Sequence, residues 1–276
     1  MATDTGPSDL AVESVAPPPG DPPAAPQLRM YPRRFSFVYA VLAAAAVAAV
    51  AGLVLAILST GVVGAGPAWS TWKPSGGGLG AAKQIADEVG RTYRLPNGDQ
   101  LVDVLAKAPS VSGTSGSTIP LHYIVETGPS GQKANKEVQI SSSNAVSYEL
   151  CGLGASCSIA TGKPTVARGT LVRREILELA LYTFKYVGGV DNVIAFMPPP
   201  AGSQPQYVVY LQKSDVASEL KQPLDETLGA KVPLPGTIPA REVHLVDSVT
   251  EPRLFKYGVT QSQTGDTILV LTPLPA

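Results

Sequence analysis

Two cysteines, Cys151 and Cys157, are separated by a short loop that contains Gly152 and Gly154. Glycine lets such a loop fold back until two thiols meet, so the spacing predicts a disulfide that staples a turn. Two other chemistries compete for the pair. Thiol–disulfide exchange normally uses the tighter CxxC spacing at a helix start, where the helix dipole lowers a thiol pKa. A zinc site needs two further ligands, and the chain's two histidines, His122 and His244, are far away in sequence. No metal or other cofactor is therefore expected.

His122 and His244 are also the candidate general bases of a hydrolase or small-ligand enzyme. Each lies in an apolar run, His122 after Leu121 and His244 between Val243 and Leu245, which reads as a half-buried strand position. Glu126, Glu149, Asp225, Glu226, Asp247 and Glu251 show no spacing that pairs two carboxylates. The stretch 154–163 resembles a phosphate loop, but Cys157 stands where its first glycine belongs and Pro164 where magnesium needs a hydroxyl. Ser70 with Lys73 and Ser130 with Lys133 match SxxK without the SDN and KTG elements of acyl-enzymes. No catalytic residue is assigned, and a binding or scaffold role is expected ahead of an enzymatic one.

The chain that must position these residues has 276 amino acids, 44% hydrophobic and only 16% charged, with 21 bases against 22 acids. A near-neutral, charge-poor chain lacks the basic surface that releases counterions from phosphates, which excludes nucleic acid as a partner. Residues 1–34 carry Pro17, Pro18, Pro19, Pro22, Pro23 and Pro26 with few large apolar groups and are expected to be a disordered cytoplasmic tail. Residues 35–63 are charge-free and long enough for a transmembrane helix in a lipid bilayer. Arg29, Arg33 and Arg34 just before it orient the chain with its amino terminus inside. Ala44, Ala48 and Gly52 belong to a stripe of small residues suited to helix packing. Tyr31, Tyr39, Trp69 and Trp72 suit the membrane interfaces. A Gly-rich linker, 64–80, leads to an extracytoplasmic domain, 81–276.

Within that domain the pattern predicts an α+β fold with a mixed or largely antiparallel sheet and one long central helix. Ala82, Ile85, Ala86 and Val89 mark a first helix, and Leu101, Val102 and Leu105 a short second one over 98–106. Strands are expected over 119–126, 136–140 and 145–150, with Ser142, Ser143 and Asn144 as the turn between the last two. The long helix spans 166–187, carries Arg174 and Glu178 at i,i+4, and stops at Gly188 and Gly189. Strands over 193–196 and 207–211, short helices near Ser214 and Pro223, a proline-rich connector and a terminal hairpin of 254–259 with 267–271 complete the domain.

The block YELCGLGASCSIATGKPTVARGTLVRREILELALYTFKY, residues 148–186, resembles single-pass cell-envelope proteins of actinobacterial type. The resemblance implies a membrane-anchored outer domain and carries over no catalytic residue. Together these readings describe a single-pass membrane protein whose outer domain binds an envelope protein or a second copy of itself.

Overall fold

The computed structural model describes residues 68–274 apart from 113–116, 129–133 and 161. The chain divides into two units, Met1–Ala65 and Gly66–Ala276, and every described residue belongs to the second. The expected transmembrane helix is corrected: among the described residues no helix is long and apolar enough to cross a membrane. The longest helix carries Arg173, Arg174, Glu175 and Glu178, charges that a bilayer would not accept. The stretch 35–63 with Ala44, Ala48 and Gly52, and the tail with Arg29, Arg33 and Arg34, lie outside the described residues.

Helix α1 (Gly78–Gly90) buries Ala82, Ile85, Ala86 and Val89 on one stripe. Helix α2 (Val166–Tyr186) starts at Thr165, whose hydroxyl accepts the Arg168 amide hydrogen at 3.2 Å, an N-cap that satisfies one orphan donor. From Thr170 to Phe184 almost every side chain of α2 is buried, so it is the central helix of the core. The chain then turns at Gly189, whose φ of +81° favours glycine. Two further helices follow, α3 (Leu224–Thr227) and α4 (Ala240–Thr250).

Among the described residues there are ten strands: β1 (Asp103–Lys107), β2 (Ser110–Ser112), β3 (Thr118–Pro120), β4 (Tyr123–Thr127), β5 (Ala134–Gln139), β6 (Ala145–Cys151), β7 (Asn192–Phe196), β8 (Tyr207–Gln212), β9 (Leu254–Gln261) and β10 (Thr267–Pro273). Eight of them form one mixed sheet in the order β1-β6-β7-β8-β9-β10-β4-β5, while β2 and β3 pair apart. Helix α2 is the crossover between the parallel neighbours β6 and β7, the connection a parallel pair requires.

The sheet is forced to curl. In a flat sheet β5 and β6 would stand six strand spacings, about 29 Å, apart. They are joined by residues 140–144, which reach about 20 Å even when fully extended. The link is in fact a turn, closed by the Ala145 amide donating to the Ser141 carbonyl at 3.0 Å. Consistent with the curl, Lys136 on β5 donates to Gln212 on β8. One face packs on the helices through Tyr148, Val193, Val209 and Leu211. The other closes on itself around Ile124, Ile194, Phe196, Val208, Tyr210, Phe255 and Leu269.

Several sequence expectations change. The stretch 98–106 is not a helix: Val104 and Ala106 face the helical layer while Asp103 and Leu105 face away, the period of a strand. Strands β5 and β6 do not form a hairpin, because β5 pairs with β4, and β6 with β1 and β7. The expected strand at 119–126 is split into β3 and β4 around Leu121 and His122. Helix α4 replaces the strand expected around His244. The terminal hairpin is present as β9 paired antiparallel with β10. Trp69 and Trp72 pack edge-on against Tyr182 at 5.6 Å, and Trp69 also meets Tyr186, so these rings belong to the domain core's margin.

Candidate functional site

Cys151 ends β6, and Cys157 lies in the loop that doubles back from it; the two form a disulfide. The loop closes tightly. The Gly152 amide donates to the Cys157 carbonyl at 2.8 Å, and the Gly154 amide to the Ser158 carbonyl at 2.9 Å. A Cβ on Gly152 would stand 2.1 Å from the Ser158 oxygen, so only glycine fits there. Ser156 and Cys157 take left-handed φ values of 54° and 58°, a conformation that costs a non-glycine residue energy and persists only where its surroundings hold it. The Ile159 amide then ties the loop to the Pro199 carbonyl at 3.2 Å.

Beside this loop, on the sheet face opposite the helices, lies a cavity of about 450 Å³. Phe196, Met197, Pro199, Pro205, Tyr257 and Val259 give it an apolar wall, and the Cys157 side of the disulfide loop forms part of its rim. Phe196 and Tyr257 meet edge to face with centroids 5.1 Å apart. Lys107 donates to Glu149 on the same wall, placing one charge of each sign next to the aromatic pair. Burial, reinforced by the Glu149 charge, raises the Tyr257 hydroxyl pKa, so this phenol stays protonated and can donate a hydrogen bond. Chemically, the site offers an apolar slot with a few fixed polar groups, the usual make-up of a binding pocket.

A second cavity, about 430 Å³, opens between α3 and α4 and is lined by Glu219, Asp225, Glu226, Arg241, Glu242 and His244. Its floor is the outer part of a buried charge cluster. Arg174, with no exposed surface, donates to Glu242 at 2.5 Å, to Glu178 at 3.0 Å, to the Gly229 carbonyl at 3.1 Å and to the Tyr93 hydroxyl. Tyr93 in turn donates to Glu178 at 2.6 Å. Burial works to lower the Arg174 pKa, but the charges around it outweigh burial and hold it raised. Burial raises the Glu178 pKa against the opposing pull of Arg174.

Next to this cluster, Glu175 is fully buried and neither carboxyl oxygen has a hydrogen-bond partner among the described residues. Burial, and then the neighbouring Glu178, raise its pKa well above the usual carboxylate range, so it is held as the neutral acid. Arg173 extends the set outward to Asp247 at 2.7 Å and Thr250 at 3.1 Å, fastening α4 to α2.

The histidines do not gather a hydroxyl and a carboxylate. His122 lies between β3 and β4, accepts the Thr267 amide hydrogen at Nδ1, and stands 4.0 Å from Asp266. His244 is on the exposed side of α4, and the hydroxyls that line its cavity donate elsewhere: Ser248 to the Leu245 carbonyl, Ser218 to Glu219, Thr227 to the Pro223 carbonyl. Of the pair read from sequence as Arg174 and Glu178 on one helix, the structure adds Tyr93 and Glu242, which no spacing reveals. Among the described residues no group of His, Cys, Asp and Glu is placed to hold a metal ion.

Compared with protein-family models, curated proteins and solved structures, the chain matches none. The function must be argued from the site itself.

Proposed function

We propose that Gly66–Ala276 is an extracytoplasmic binding module of the cell envelope, without catalysis of its own, that holds an apolar segment of a protein partner. The carrying observation is the cavity beside the disulfide loop, concave, aromatic and mostly apolar, with Lys107 and Glu149 available to flank the bound segment. Exposed Leu153 and Val259 extend the apolar surface around it, as the rim of a docking site does. The disulfide supports an oxidising compartment, where such bonds persist. The hydroxyls near His244 donate to other acceptors, which weighs for binding over hydrolysis.

Recovery of a partner by the tagged full-length chain from its own cells tests this reading. Val259→Asp, on the exposed rim, is expected to lose the partner, while His244→Ala in the other cavity keeps it. Equal recovery by both variants, or loss with His244→Ala alone, would contradict the proposal.

A further inference from the structure

Among the described residues strand β1 is the terminal strand of the eight-stranded sheet, paired with β6 on one side only. A terminal strand offers a row of backbone amides and carbonyls to another strand. Its sequence, DVLAK, places Asp103, Leu105 and Lys107 on the face turned away from the helices, with Val104 and Ala106 on the helical side. Leu105, at the centre of the strand, is 42% exposed and so free to meet a second strand.

We infer that this edge pairs antiparallel with the same edge of a second copy of the chain, about a two-fold axis at Leu105. A two-fold interface must be self-complementary, each residue i meeting j while j meets i. Centred on Leu105, the register sets Asp103 of each copy opposite Lys107 of the other, twice, and sets the two Leu105 side chains against each other. Opposite charges directly across an antiparallel pair stabilise it and like charges destabilise it. Registers centred on Asp103 or on Lys107 bring like charges face to face, so the same charges that blunt a wrong pairing select this one. Lys107, already donating to Glu149 on β6, then stands between two carboxylates. The paired copies continue one sheet across the axis.

The charge pattern supplies its own test. Sedimentation velocity over a concentration series of the full-length chain is expected to show a reversible monomer–dimer equilibrium. D103K makes every cross-axis pair Lys against Lys, and K107D makes every pair Asp against Asp. Each alone is expected to weaken association about tenfold or more. An equimolar mixture of the two variants restores opposite charges in the heterodimer and is expected to recover the dimer, as is the double exchange D103K/K107D. Recovery in the mixture also shows that both single variants are folded. A wild-type chain that stays monomeric throughout overturns the inference. So does a dimer that D103K leaves intact, or a mixture that fails to associate.

Discussion

At the scale of single residues, Arg174 has the most to lose. Its guanidinium is buried against Glu178, Glu242, Tyr93 and the Gly229 carbonyl. Arg174→Ala would strand two carboxylates, and breaking a buried pair in this way costs about 3–5 kcal/mol. Denaturant unfolding checks this; a loss under about 1 kcal/mol would mean that the cluster relaxes to solvent. Glu175 acts in the opposite sense. Its folded pKa is raised, so the native state holds a proton that the unfolded chain gives up as pH climbs above the ordinary carboxylate range. The stability this proton supports is fully present below the unfolded pKa and is lost, by about 1.4 kcal/mol per pH unit, as pH rises towards the folded pKa. Glu175→Gln removes that dependence. Its melting temperature is expected to exceed the wild type's at pH 8 and to approach it at pH 4; thermal scans giving the same difference at both pH values would refute the assignment. Little of this was legible in sequence. The i,i+4 spacing of Arg174 and Glu178 suits a surface pair as well as a buried one, and their partners come from elements with no local mark of their destination.

Among elements, the disulfide loop is where sequence and structure agree most closely. Two cysteines and two glycines announce a turn that folds back, and Gly152 occupies a position where a Cβ would collide with the Ser158 carbonyl. Cys151→Ser combined with Cys157→Ser is expected to cost about 2 kcal/mol, the loop-closure entropy of so short a ring. Gly152→Ala is expected to destabilise by a similar amount or more, because backbone must move to admit the methyl group. Urea midpoints of the two variants check both. The long helix and the terminal hairpin were legible because their periodicity is strong and glycines mark where they turn, Gly188 and Gly189 after the helix and Gly265 in the hairpin. Strand β1 and helix α4 were not. In 98–106 the apolar spacing fits either period, and α4 follows Pro239 with a mixed-polarity face that sequence alone reads as strand. The partners of β5 and β6 were hidden for a different reason: a tight turn usually joins paired strands, and here the curl of the sheet carries them to different neighbours.

For the whole molecule, the curled sheet explains why one face holds a helical core and the other holds a cavity. The side that closes on itself leaves its opening beside β1, β6 and the disulfide loop, where Phe196, Tyr257 and the Lys107–Glu149 pair meet. None of this follows from composition, because it depends on strand order. This opening is the proposed partner-binding site. A photo-reactive amino acid placed at Met197 or Val259 of the full-length chain, with Ser248 beside the acidic cavity as the control position, tests it in the cells that make the protein. A discrete adduct of constant mass from positions 197 and 259 and none from 248 is the predicted result. Adducts from 248 alone, or none from either cavity position, would contradict the account.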